Sequence, residues 1–255
     1  MFQNLKTRVG NMAAALKKYN PLLIELVSRD IKVRYRKSVL GMLWTVLNPL
    51  LMMCVITVVF STIFKQNIPN YPIYYLSGSL IFSFNSEATT NAMHSILSKY
   101  LFPISCVLSA LVNLGFSLVA MFIVMIVTRA PFHATLLLMP IPIFYTFLFS
   151  VGLGTMLAAL TVYFRDIAHF YGVFILAWTY FTPIFYPVDI LPDFALRLMQ
   201  FNPMFHYVNF MRELVIYGTF PGITENLICV AMSVLMLFAG FWVFYKKQDH
   251  FVLYI

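Results

Sequence analysis

Apolar positions in this chain do not alternate with polar ones at a period that would give one wet and one dry face. They run on without charge in long stretches, and the charged residues gather in short clusters between them. A helix rising about 1.5 Å per residue needs about 20 such residues to cross a hydrocarbon core about 30 Å thick. Reading from one charge cluster to the next predicts six membrane-spanning helices, at about 38–64, 71–93, 104–128, 135–163, 170–187 and 226–245. The stretch from Asp189 to Glu225 is too polar and too rich in proline for a seventh. It carries two short amphipathic runs split by Asn202-Pro203: Phe194, Leu198 and Phe201, then Phe205, Val208, Met211 and Val215. They predict an outer hairpin between spans five and six, either re-entrant or lying on the membrane surface. The fold class is therefore an all-α integral membrane protein.

The segment ahead of the first span has a different pattern. Ile24, Val27, Ile31 and Tyr35 recur at helical spacing, and Glu25, Arg29, Lys32 and Arg36 repeat that spacing one residue on. Entered through Asn20-Pro21 as cap and first-turn proline, this is an amphipathic helix expected to lie on the cytoplasmic membrane surface among lipid phosphates. It serves as a basic anchor to membrane lipids or as a docking surface. The chain thus divides into an N-terminal segment, 1–37, and a transmembrane domain, 38–255.

Composition agrees with hydrocarbon as the solvent. Of 255 residues, 61% are hydrophobic and 10% charged, and mean hydropathy is +0.84, which excludes a water-soluble domain. The net charge of +8 is mostly a topology signal. Thirteen of the seventeen Lys and Arg fall on the face that holds the N-terminal segment, Lys99, Arg165, Lys246 and Lys247. Lys65, Arg129, Arg197 and Arg212 make up the other face, so the positive-inside rule puts both termini in the cytoplasm. Nucleic acid is not the expected partner of these charges. The cysteines, Cys54, Cys106 and Cys229, lie in apolar spans without metal-ligand spacing and are read as small core-facing hydrophobes, with no disulfide and no metal. Met1 to Asn20 has no apolar stretch of signal-peptide type, so no cleavage is expected.

Candidate chemistry is sparse. Span two ends in Asn85, Ser86, Glu87, Thr89, Thr90 and Asn91, and an acidic group at membrane depth must face protein or a wet cavity. Glu87 is thus a structural hydrogen-bonding group or part of a pathway. Tyr180, Phe181, Phe185 and Tyr186 cluster at the outer end of span five as an interfacial belt or as a wall for sugar rings. Pro183 and Pro187 break the helix there, which membranes tolerate where neighbouring groups satisfy the freed carbonyls. Ser150, Gly154 and Ala158 form a small-residue face in span four. The glycines at 152 and 154 follow no strand and make no nucleotide loop. No GxxxxGK[ST] phosphate loop is present, so energy must come from a partner; GxSxG and HExxH are absent too. A membrane-embedded enzyme acting on lipid-linked sugars would have to use Asp189, Asp193 and His206 as acid and base.

The motifs in order carry a family resemblance. They are Arg29-Asp30-Ile31-Lys32 with Arg34-Tyr35; Ser38-Val39-Leu40-Gly41, Trp44 and Pro49; Phe102-Pro103; Arg165-Asp166-Ile167; Pro183-Ile184-Phe185-Tyr186-Pro187; and Asn202-Pro203 with Arg212. From about Pro21 onward the chain resembles type-2 ABC export permeases of polysaccharides or polyol phosphates. The resemblance implies a homodimer in the bacterial cytoplasmic (inner) membrane. Two copies of a separate ATPase would bind ATP and Mg, with no cofactor in this chain. The substrate implied is a lipid-linked glycan such as an O antigen, a capsule or a teichoic acid; a type-2 permease for a drug or small lipid is the alternative. It also implies ATPase contacts through the surface helix (Arg29, Lys32, Arg36) and two cytoplasmic loops (Ser98, Lys99, Tyr100; Arg165, Asp166). The channel or gate would use Glu87, the span-five aromatics, and Phe201 and Phe205 of the outer hairpin.

Overall fold

The computed structural model describes residues 20–34, 40–64, 68, 70–95 and 101–247, with the side chains of 61–64 excepted. Among these residues there is no strand. Helix α1 occupies 20–34, and α2 (Leu43–Phe64), α3 (Tyr71–Met93) and α4 (Leu101–Val127) follow. A 3-10 turn at Ala134–Leu138 leads into α5 (Pro140–Tyr163), then α6 (Ile167–Phe181). A second 3-10 turn, Val188–Ile190, precedes α7 (Asp193–Met199) and α8 (Pro203–Arg212); a π turn, Glu213–Tyr217, leads to α9 (Ile223–Lys247).

Among the described residues four segments are long and apolar enough to cross a membrane: Leu43–Phe60, Leu101–Val127, Ala134–Tyr163 and Ile223–Lys247. Helix α3 has the length, at 23 residues, but its polar residues dilute it. Helix α6 has only 15 residues, about 22 Å at 1.5 Å each. The expected span of 170–187 is helical only to Phe181. The reason is local: Thr182 precedes Pro183, whose ring disfavours the helical conformation of its neighbour, and Thr182 is extended at φ −93° and ψ 128°.

Helix α3 is the hub, packed by α2, α4, α5, α8 and, more lightly, α6. The tightest helix pair is α5 with α9. There Gly152 and Gly240 lie back to back, and a Cβ on either would overlap the other helix's backbone. Close backbone approach of this kind drives helix association in lipid, where the hydrophobic effect gives no preference. The expected small-residue face does a second job: Gly154 abuts Thr89 and Ala92 of α3, and Ser150 donates to the Asn85 amide oxygen at 2.9 Å. Further polar ties cross the bundle, with Thr89 and Tyr171 at 2.6 Å joining α3 to α6 and Tyr207 and Ser233 at 2.7 Å joining α8 to α9.

Two expectations about faces are corrected. Helix α1 buries Leu23 and Leu26, whereas Ile24 is exposed. The apolar stripe is thus rotated toward the side that carries Arg34. Of the three thiols, Cys229 is buried but Cys54 is exposed on α2, so it does not face the core. The hairpin between α6 and α9 is split in character. Helix α7 stays on the surface with Phe194 and Leu198 exposed, while α8 is inserted against α3, α5 and α9 and fully buries Met204, Tyr207, Phe210 and Met211. A surface-lying hairpin is therefore wrong for α8.

Candidate functional site

Every fourth residue of α3 along one face is polar or aromatic: Tyr75, Ser79, Ser83, Glu87 and Asn91. Helix α4 repeats the device with Ser105, Ser109, Asn113 and Ser117. A four-residue step keeps side chains in line on a helix, so each series makes a seam. Tyr75, Ser79, Ser83, Glu87, Asn113 and Ser117, with Thr45 and Asn48 of α2, line an open groove of about 690 Å³. Asn91 and Ser109 continue it into a second cleft shared with Arg29, Asp30 and Arg34 of α1. From Tyr75 to Asn91 the seam runs about 24 Å, most of a hydrocarbon core.

Glu87 sits where the seam meets α1. Its Oε1 takes an ion pair from Arg34 and a hydrogen bond from the Asn113 amide at 2.6 Å. The surface helix is thereby tied to both seam helices through one carboxylate. Arg29 pairs with Asp30 at 3.1 Å, and Arg34 makes the link to the groove that the sequence reading did not assign.

At its other end the groove meets an aromatic cluster. Phe185 stacks on Phe60 at 5.9 Å and on Tyr75 at 5.8 Å, and meets Tyr180 at 5.9 Å. The Pro183–Pro187 loop that carries Phe185 is held by its carbonyls. Arg212 donates to Ile184 O at 3.2 Å, Tyr71 to Phe185 O at 2.7 Å and Tyr74 to Tyr186 O at 2.9 Å. The loop's entry is fixed through Asn202, whose amide donates to Thr182 Oγ1 at 3.0 Å and whose carbonyl accepts from Trp178 at 2.7 Å and from the Met204 amide at 3.0 Å. The Ile184, Phe185 and Tyr186 carbonyls, which lie past the helix end and have no helical partner, are thus satisfied by protein.

Beyond this loop lies a second cavity of about 450 Å³, lined by Tyr74, Pro187, Asp189, Phe205, Asn209, Arg212, Glu213, Tyr217 and Glu225 among others. The Arg212 guanidinium lies 3.6 Å from the centre of the Tyr74 ring. Burial, with Glu225 adding to it, raises the Glu213 carboxyl above the usual carboxylate range.

The structure gathers Glu87, Tyr180 and Phe185 around the groove and its outer end, and Phe205 around the second cavity. Tyr186 turns its phenol back onto Tyr180 O at 2.7 Å. Phe181 is exposed, and Phe201 is 81% exposed, away from both cavities. Lys32 is exposed on α1, and Arg165 and Asp166 form the exposed turn between α5 and α6. Arg36, Ser98, Lys99 and Tyr100 lie outside the described residues. Asp189, Asp193 and His206 do not form an acid–base set. His206 spends Nε2 on Gln200 O at 2.8 Å and Nδ1 on Glu225 at 2.7 Å, and Asp193 opens α7 without lining the second cavity. The sequence reading missed Tyr71, Tyr74 and the two seams; the four-residue polar step was the signal for the seams.

The ABC-2 type transporter family matches residues 21–216 of this chain. The chain is 32% identical over 251 residues to the O-antigen export system permease protein RfbA of Myxococcus xanthus, covering 92% of this chain and 96% of that one. It is 29% identical over 210 residues to a protein of the same name from Klebsiella pneumoniae, covering 78% and 81%. To the polysialic acid transport protein KpsM of Escherichia coli it is 21% identical over 239 residues, covering 88% and 92%.

Proposed function

The chain belongs to the ABC-2 type transporter family as a polysaccharide-exporter permease and not an enzyme, and we propose that its polar seam is the inner part of a glycan path closed by a second copy of the chain. The observation that carries this is the open groove between α2 and the seams of α3 and α4. Hydroxyls, amides and a carboxylate along about 24 Å of helix are unsuited to hydrocarbon, where each unsatisfied polar group costs several kcal/mol. Water and a second protein surface satisfy them. Helix α2 suits such an interface, because Leu51, Met52, Val55, Val58 and Val59 of its apolar window are exposed within one chain.

In this reading six segments cross the inner membrane, with α3 and the α6–Pro187 stretch as the two polar or short ones, and both termini are cytoplasmic. Two ATPase subunits bind and hydrolyse ATP with Mg. They dock on α1 through Arg29 and Lys32, on Arg36, on the segment with Ser98, Lys99 and Tyr100, and on the Arg165–Asp166 turn. Docking motion enters the path through Arg34 and Glu87. The exported molecule is a lipid-linked polysaccharide of the O-antigen or capsule kind, and the Phe185 cluster offers ring faces to its sugars.

The test is the purified complex with its cognate ATPase in proteoliposomes, supplied with the lipid-linked glycan of the same cell. Stimulated ATP hydrolysis together with glycan accumulation on the far side is expected. Stimulation by drug-like lipids and none by the glycan would overturn the assignment.

A further inference from the structure

Arg212 is the most deeply placed charge among the described residues that face a cavity. It is 3% exposed, and of its three nitrogens only Nη2 has a partner, the Ile184 carbonyl. Nε and Nη1 are buried without one. A buried guanidinium with donors to spare is costly unless a ligand takes them up at some stage of the cycle. The rest of the cavity wall says what kind of ligand.

Asp189, Glu213 and Glu225 share that wall with Arg212, and His206 already engages Glu225. Carboxylates outnumber the guanidinium, so a bare phosphate is repelled, while a bare cation meets Arg212. A neutral polyhydroxylated ring suits both signs. Its hydroxyls donate to carboxylates and accept from the guanidinium and the Asn209 amide. Phe205 and Tyr217 add flat faces for the C–H side of a pyranose. The cavity volume of about 450 Å³ lies in the range of small-molecule sites. Its position matters equally. Tyr74 and Pro187 in its wall are next to Tyr75 and close in sequence to Phe185, the rings that end the inner groove.

We propose that the Arg212 cavity is an exit-side sugar subsite that holds one pyranose residue of the glycan after it has passed the Phe185 cluster. This rests on the glycan-export reading above. Holding the chain there disfavours its backward slip between strokes of the ATPase.

The experiment places benzoylphenylalanine at position 217, in place of the exposed Tyr217, in the permease–ATPase complex of glycan-producing cells. After illumination, the permease is purified and stained for covalently attached glycan. A second copy carries the probe at Asp189, on the exposed turn that lines the same cavity, and a third at Ser79 in the inner groove. Glycan adducts at 217 and at 189 are expected. Asn209→Ala or Glu213→Gln should weaken those adducts about fivefold, the loss expected of one polar contact, while sparing the adduct at 79. Labelling at 79 with none at 217 or 189 overturns the subsite and leaves the transport reading standing. No labelling at any of the three positions overturns both. In proteoliposomes, a polyprenyl diphosphate that carries no sugar should give no adduct at 217. Labelling as strong as with the glycan makes the cavity a headgroup site and overturns the sugar assignment.

Discussion

Tyr71 and Tyr74 show how a residue acts through a single bond. Each phenol donates to one carbonyl of the Pro183–Pro187 loop, and neither ring is replaceable by a water in a packed bundle. Tyr71→Phe and Tyr74→Phe should each lower stability by about 1 kcal/mol, the net worth of one hydrogen bond, read as a lower melting temperature of the detergent-solubilised complex. Tyr74→Leu should cost more, because it also strips Arg212 of its ring. Unchanged melting in both Phe variants would mean that the loop is held by packing alone. Glu87 makes the opposite case. Its pair with Arg34 is about a third exposed on each side, and such pairs contribute at most about 1 kcal/mol. Glu87→Gln should therefore leave folding and ATPase binding intact and reduce glycan export. Arg34→Ala should do the same, and the double variant should be no worse than either single one. Full export by Glu87→Gln would remove the pair from the coupling route.

Helices carry the next level of argument. Gly152 and Gly240 let α5 and α9 approach backbone to backbone, whereas nothing lies near a Cβ built on Gly115 or Gly172. Gly152→Ala should prevent accumulation of the permease in the membrane; Gly115→Ala and Gly172→Ala should accumulate normally, as an immunoblot would report. Equal levels of all three would refute the close-packing account. Gly218 is a special case, at φ +66° and with the His133 ring where a Cβ would go. The helices themselves were largely legible, since charge-free runs locate them within a few residues. The end of α6 was not, because a length criterion extended the span across Pro183 when the local preference of Thr182 had already stopped it. The seams were hidden for a different reason. Isolated serines in an apolar run look like tolerated small residues, and only the four-residue step across Tyr75, Ser79, Ser83 and Glu87 distinguishes a lining from a scatter. The face of α1 was misplaced because Ile24 fits helical spacing as well as Leu23 does, and burial by neighbouring helices, absent from a periodicity argument, chose Leu23 and Leu26.

For the molecule as a whole the question is how motion of one turn reaches the groove and the Pro183–Pro187 loop. The exposed Arg165–Asp166 turn sits directly between α5, which packs α9 and α3, and α6, which ends in the aromatic loop. Replacing both residues with Ala should abolish export while leaving membrane insertion and permease–ATPase co-purification near normal. Normal export would assign the coupling to α1 and the segment with Ser98, Lys99 and Tyr100. The family and the all-α membrane class were readable from the sequence. Of the rings singled out there, Phe185 touches Tyr75 of the groove wall and Tyr180 touches Phe185, whereas Phe201 lines neither cavity. A pattern of rings on one segment says nothing of which rings a second element will cover.

The carbonyl clamp on the Pro183–Pro187 loop also sets an order of events during synthesis. Tyr71 and Tyr74 are already made when the loop emerges, so two of its three carbonyls find their phenols at once. The third waits for Arg212, 28 residues later, and the loop's entry waits for Asn202. At roughly 5–20 residues per second the delay for Arg212 is roughly one to six seconds. Over that interval the Ile184 carbonyl and the loop's entry lack the partners that hold them in the finished bundle. Helix α8 and the Asn202 turn before it are therefore the parts whose arrival completes the hold on the end of α6.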